Sequence, residues 1–137
     1  MDSDHEWVKR WFNAVWAKSN ASQLRALAAE PLQFHLPGGK SYTLSHDDYL
    51  SMLSVWNQRF RDVEFQFNDI IQQDNKTVVL YQCHAFYTGG WARVPKKTQR
   101  VSMTGMLFLK QEAGLITECW LEDSSFDVYQ QLTQYLD

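Results

Sequence analysis

Hydrophobic side chains in the first 60 residues recur at the spacing of an α-helix in three places. The pattern predicts helices that begin near Ser3, Ala21 and Ser45, where polar residues have the spacing of helix caps. The second helix should run from Ala21 to Ala29, where Pro31 stops it. A short strand over Leu32–Leu36 should follow. The inner faces of the three helices are expected to carry Val8, Trp11, Phe12, Val15, Trp16, Leu24, Leu27, Tyr49, Met52, Leu53, Trp56 and Phe60.

From Val63 onward the hydrophobic pattern changes to the period of two that is typical of β-strands. Turn residues such as Asp74-Asn75 and Gly89-Gly90 separate the alternating segments. Because no helix lies between them, successive strands should pair antiparallel. Ser124 with Asp127 should cap a final helix. The predicted long strands are Val63–Phe67, Val78–Thr88, Val101–Leu109 and Leu115–Asp123.

Composition and charge narrow the class of protein. The length of 137 residues suits one domain over 1–137. The net charge is −3, and the one basic cluster is Arg93–Arg100, so we expect no nucleic-acid binding. No apolar segment resembles a signal peptide or a membrane span, so we expect no membrane association. Cys83 and Cys119 lack the spacing of metal ligands, which favours a cytoplasmic protein with two free thiols.

Three segments carry a resemblance to a known family. They are Phe34–Gly39, with the sequence FHLPGG; Thr88-Gly89-Gly90, with Pro95 and then Arg100–Met106; and the glycine turn and strand Gly114–Trp120, followed by acidic residues and a helix. With them the chain resembles the nuclear transport factor 2-like superfamily, and within it the SnoaL-like polyketide cyclase group. The resemblance implies an α+β fold, a cone-shaped curved antiparallel sheet wrapped over N-terminal helices. It also implies a pocket inside the cone and a homodimer formed through the convex sheet face.

The resemblance also predicts which residues line that pocket. On the last strand it implies that the face with Glu118, Trp120 and Glu122 points inward, and Asp123 at the strand end could join it. On Val78–Thr88, a face that mixes aliphatic and polar residues suits a pocket wall. We therefore predict an acid/base set of His84 with Glu118, Glu122 or Asp123, because a His and a carboxylate in a desolvated cavity can exchange protons. Expected ligand contacts are Trp120, His35, Gln82, Phe86, Trp56 and Trp16.

Three functions remain open from the sequence. The first is a cofactor-independent cyclase, isomerase or lyase that acts on an apolar oxygenated small molecule. The second is a non-catalytic ligand-binding module, which is favoured because Val101–Leu109 and Leu115–Asp123 lack the His that the known cyclases pair with an acid. The third is an interaction domain whose convex face presents Tyr81, Cys83 and Tyr87 beside Thr104, Met106 and Phe108. No phosphate loop or Cys/His cluster is present, so we expect no metal and no nucleotide cofactor.

Overall fold

The computed structural model of the chain describes residues 5–91, 94 and 98–133. Its helices are α1 (Glu6–Arg10), which continues as a π-helical turn (Trp11–Trp16), α2 (Ala21–Leu27), α3 (His46–Arg59) and α4 (Ser125–Thr133). Its strands are β1 (Ala28–Leu36), β2 (Lys40–Leu44), β3 (Phe60–Gln73), β4 (Lys76–Tyr87), β5 (Gln99–Glu112) and β6 (Leu115–Asp123). Within the described residues, none of the helices has the length and apolar character needed to cross a membrane.

Two of the predicted helix caps are present. The Asn20 side chain accepts a hydrogen bond from the backbone N–H of Gln23, and the Ser45 hydroxyl accepts one from Asp48, both at 3.1 Å. The predicted cap at Ser3 lies outside the described residues. Each cap satisfies a backbone donor that the first helical turn leaves free, which fixes where α2 and α3 begin.

Two helix boundaries differ from the prediction. The second helix ends at Leu27 rather than Ala29, because Ala28 already pairs with Ile116 of β6 and the strand runs on through Pro31. At the start of α4, the Ser124 hydroxyl accepts from the backbone N–H of Thr104 at 2.9 Å and does not cap Asp127. In both places a hydrogen bond or strand pairing with a residue distant in sequence prevails over the helix preference of the local sequence.

The sheet has the order β2-β1-β6-β5-β4-β3. The four long strands β3 to β6 pair antiparallel in sequence, as predicted. The sheet is mixed, because β1 pairs parallel with β6. The edge strand β2 was not predicted; it pairs antiparallel with β1 after the turn at Gly38-Gly39.

The helices pack on one face of the curved sheet, and this inner face carries the core. The predicted stripe of the first helix is buried, from Val8 to Trp16. Phe12 lies at its centre and contacts Phe65, Phe67 and Tyr81 of the sheet with ring centroids 4.9–5.2 Å apart. Burial of such large rings supplies much of the driving force for folding, and it sets the inner face as the wall of any enclosed space.

Candidate active site

A cavity of about 410 Å³ lies between the inner face of the sheet and helices α3 and α4. Most of its wall is aromatic or aliphatic. Trp16 and Trp56, which the sequence suggested as ligand contacts, both line it. The polar side chains on the wall are those of Tyr49, Arg59, Tyr81, Asp123 and Ser125. An apolar space of this size with a few polar groups is the usual form of a small-molecule site.

The predicted orientation of the last strand is wrong. Asp123 and Leu121 line the cavity, whereas Glu118, Trp120 and Glu122 lie on the outer, convex face. Glu118, Trp120 and Glu122 do share one face, but the resemblance implied the wrong side of the sheet for it. A β-bulge changes the side of Ile116: Lys110 pairs with Glu118 but Gln111 pairs with Ile116, so one residue of β6 is unpaired. The bulge buries both Ile116 and Cys119 and breaks the simple alternation that the prediction assumed.

The predicted wall on β4 is also reversed. Gln82, His84 and Phe86 lie on the outer face, and His84 Nδ1 is hydrogen-bonded to the Ser102 hydroxyl at 3.0 Å there. The inner face is formed by the alternate, buried residues, which include Tyr81 and the other two residues predicted on the convex face, Cys83 and Tyr87. The acid/base set of His84 with Glu118 or Glu122 is therefore not brought together in the cavity.

Three of the predicted site residues meet on the outer face instead. The Glu118 carboxylate and His35 Nε2 form a hydrogen bond of 2.6 Å, and His35 Nδ1 lies 2.7 Å from the Ser41 hydroxyl. The His35 ring stacks on Trp120 with centroids 4.6 Å apart. This cluster joins β2, β1 and β6 across their outer surface, so its evident role is to hold the parallel strand pair together.

Asp123 shares a cross-strand row with a tyrosine that sequence reasoning missed. Tyr81 of β4 pairs with Gly105 of β5, and Gly105 pairs with Asp123 of β6. A Cβ atom on Gly105 would overlap the Tyr81 hydroxyl oxygen, so the tyrosine ring occupies the space above the glycine, towards Asp123. The uninterrupted apolar series Val79, Tyr81, Cys83, Ala85 and Tyr87 is the signal that could have identified this inner face.

The hydroxyl groups on the cavity wall are held in their protonated form. Burial, and then the nearby charge of Asp123, raise the pKa of Tyr81 well above its usual value. Burial likewise raises the pKa of Tyr49, whose oxygen accepts a hydrogen bond of 2.8 Å from Trp16 Nε1. At neutral pH both tyrosines therefore remain O–H donors. Among the described residues, neither of the two ion pairs involves Asp123, and no three His, Cys, Asp or Glu side chains are grouped to hold a metal ion.

The close approach of Tyr81 to Gly105 gives a first prediction. We expect Gly105→Ala to lower the free energy of unfolding by about 1–3 kcal/mol, because the new methyl group must displace a ring that is only 3 % exposed. Urea unfolding followed by circular dichroism measures the change. In a Tyr81→Leu background, where the ring is absent, the same substitution should cost clearly less. An equal cost in both backgrounds would contradict the assigned contact.

Comparison with known proteins gives a consistent result. A sequence model of the SnoaL-like domain matches residues 8–119. A solved candidate SnoaL-like polyketide cyclase from Jannaschia sp. CCS1 is 15 % identical, with 93 % of this chain and 90 % of that one aligned and a TM-score of 0.83. A candidate polyketide cyclase from Acidithiobacillus ferrooxidans is 20 % identical over 94 % and 93 % of the two chains, also with a TM-score of 0.83.

A third structure extends the comparison. IdmH from Streptomyces antibioticus, another candidate polyketide cyclase, is 18 % identical over 95 % of this chain and 98 % of its own, with a TM-score of 0.79. No curated protein matches the chain significantly. At these identities the solved structures establish the fold and leave the reaction to be argued from the cavity.

Proposed function

Because the chain belongs to the SnoaL-like family, we propose that it is a cofactor-independent acid/base catalyst of the cyclase, isomerase or lyase type. Its proposed substrate is an apolar oxygenated small molecule held in the cavity. The observation that supports this most directly is a carboxylate, Asp123, on an otherwise largely apolar wall. Asp123 is the one member of the predicted acid/base set that lines this space, and Tyr81 replaces the histidine of the original prediction.

The proposed step moves one proton and conserves every atom. The Asp123 carboxylate takes a proton from a carbon next to a substrate carbonyl, and the electron pair shifts onto the carbonyl oxygen to give an enolate. That oxygen accepts a hydrogen bond from the Tyr81 hydroxyl, which stays protonated because its pKa is raised. The enolate carbon then bonds to a second carbonyl carbon, and the resulting alkoxide takes the proton back from Asp123.

A model ketone tests the proton-abstraction step without knowledge of the natural substrate. The probe is 2-tetralone, an uncharged bicyclic ketone with acidic protons at C1. In D₂O the wild-type protein is expected to accelerate exchange of these protons for deuterium, with a rate that saturates as ketone is added, followed by proton NMR. An exchange rate equal to that of buffer alone would count against the proposed function and favour a ligand-binding module without catalysis.

We further propose that the convex face forms a homodimer. Val78, Leu80, Met106, Phe108 and Trp120 lie side by side there, since Leu80 pairs with Met106 and Phe108 lies between Val78 and Trp120. Met106 is 50 % exposed and Leu80 36 %. A contiguous apolar surface of this kind is typical of an interface, and a second copy of the chain would cover it.

Placing a charge in this surface should weaken the dimer. We expect Met106→Asp to raise the dimer dissociation constant at least tenfold, about 1.4 kcal/mol, in sedimentation velocity experiments. Phe126→Asp provides a matched control, because Phe126 is 74 % exposed but lies on α4 rather than on the sheet. A wild-type protein that is monomeric at micromolar concentration would rule out this dimer.

We also propose a cytoplasmic location. This is supported by Cys83 and Cys119, which are both buried and unpaired. Free thiols are typical of reducing compartments.

A further inference from the structure

Among the residues that the structure describes, one cation lines the cavity, at the junction of α3 and β3. Arg59 is half-buried, and its guanidinium carbon lies 5.9 Å from the centroid of the Trp91 ring. A Cβ atom on Gly90 would approach Arg59 Cγ to 3.0 Å, so the absent side chain of Gly90 makes room for the arginine stem. Between the glycine and the indole ring, the guanidinium is held in a defined place at the cavity wall.

This guanidinium has no carboxylate partner in the part of the chain that the structure describes. The two ion pairs there join His35 to Glu118 and Arg61 to Asp62. Arg59 lines the cavity, whose wall is otherwise mostly aromatic and aliphatic. A cation beside an apolar space is most stable with an anion close to it, and the planar guanidinium matches a carboxylate with two parallel hydrogen bonds.

We propose that Arg59 binds a carboxylate at one end of an elongated aromatic ligand, whose other end lies against Asp123 and Tyr81. The inference rests on the proposed function and names the chemical class of its substrate, an aromatic monocarboxylate. It assigns Arg59 as the residue that selects this class.

The sheet topology separates the two charged groups. Asp123 ends β6, whereas Arg59 immediately precedes β3, and β5 and β4 lie between those strands. A ligand carboxylate at Arg59 therefore meets a different part of the cavity wall from Asp123, whose carboxylate would repel it. Two carboxylates on the ligand would bring a like charge to Asp123, and an uncharged ligand would leave the guanidinium without a counter-ion. A ligand with a single negative charge, placed at Arg59, satisfies the guanidinium and avoids repulsion by Asp123.

Two bicyclic probes of nearly equal shape test this inference. Naphthalene-2-carboxylate carries the negative charge, and naphthalene-2-carboxamide lacks it. Titration of the wild-type protein, followed by ligand-observed NMR, is expected to give at least tenfold tighter binding of the carboxylate. In Arg59→Gln this preference should disappear, whereas Arg59→Lys should keep part of it, because lysine retains the charge without the fork of donors.

Arg61→Gln is the matched control. Arg61 lies two residues further on, and its guanidinium faces Phe86 on the outer surface, so this variant should keep the full preference for the carboxylate. Equal wild-type affinity for the two probes, or a preference that survives Arg59→Gln, would overturn the inference. The exchange of 2-tetralone involves no carboxylate on the ligand. The exchange assay therefore tests the proposed catalysis independently of Arg59. If the protein accelerates exchange but binds the two naphthalene probes equally well, only the role of Arg59 is refuted.

Discussion

Replacing Asp123 with Asn is expected to reduce protein-catalysed exchange of the 2-tetralone C1 protons by about 10²- to 10⁴-fold, the usual contribution of a positioned acid/base group. The amide has nearly the same size as the carboxylate and cannot accept the proton. Because Asp123 also accepts a hydrogen bond from the backbone N–H of Ser125 at 3.2 Å, the Asn oxygen can preserve the start of α4. Loss of exchange should therefore occur with little change in the urea midpoint.

The neighbouring residue supplies a matched control. Glu122→Gln makes the same change of charge one position earlier on β6, but its side chain lies on the outer face. We expect this variant to keep the wild-type exchange rate. If Glu122→Gln abolished exchange and Asp123→Asn did not, both the orientation of β6 and the assignment of Asp123 would be wrong.

The sequence predicted most elements of the fold, because local signals there agree with the tertiary structure. The caps at Asn20 and Ser45 form as expected, and the turn residues separate strands that pair in sequence. The parallel pairing of β1 with β6 joins strands more than 70 residues apart. Only contacts remote in sequence determine such a pairing, so no local pattern indicated it.

The site was harder to predict because a period-two pattern fixes which residues share a face but not which face points inward. On β6 a single unpaired residue at the bulge changes that alternation, and nothing in Ile116-Thr117-Glu118 marks the bulge locally. The polar residues Glu118 and Glu122 on one side, and Cys119 and Leu121 on the other, were the better guide to the buried face. The family resemblance implied the opposite orientation, with Glu118 and Trp120 facing inward, and that orientation is wrong.

The corrected orientation also changes the chemistry expected of the cavity. No histidine lines it in the described residues, which agrees with the absence of histidine from β5 and β6. The donor that accompanies the carboxylate is a tyrosine, whose raised pKa suits it to donating a hydrogen bond and not to accepting a proton. In the proposed reaction, Asp123 therefore moves the proton, and Tyr81 stabilises the oxygen on which negative charge develops.

The buried cysteine and tyrosine side chains should make the stability of the protein unusually sensitive to alkaline pH. Burial raises the pKa of Cys83 from 9.0 to about 12 and raises those of Tyr49, Tyr81 and Cys119 well above their usual values. Below about pH 8 these groups are protonated in both the folded and the unfolded chain, and stability is unaffected. At higher pH the unfolded chain loses the protons that the folded chain retains, the cysteines first and the tyrosines near pH 10, so the free energy of unfolding falls as pH rises towards 12.

The size of the loss follows from the number of protons. Each such group lowers the free energy of unfolding by about 1.4 kcal/mol per pH unit once its unfolded form has ionised, so four together remove about 5 kcal/mol per unit above pH 10. Domains of this kind have about 5–15 kcal/mol in total. We therefore expect the folded state to be lost before pH 12. Urea unfolding at several pH values between 8 and 11, followed by circular dichroism, measures the slope.

Single tyrosine variants separate this effect from general alkaline denaturation. Tyr81→Phe removes one buried acid and should reduce the slope by about 1.4 kcal/mol per pH unit, or one proton. Tyr42→Phe, at a tyrosine that is 47 % exposed, is the matched control and should keep the wild-type slope. Equal slopes for Tyr81→Phe and the wild type would mean that Tyr81 ionises as readily in the folded as in the unfolded chain. The desolvation of its hydroxyl on the inner face, on which the raised pKa depends, would then be wrong.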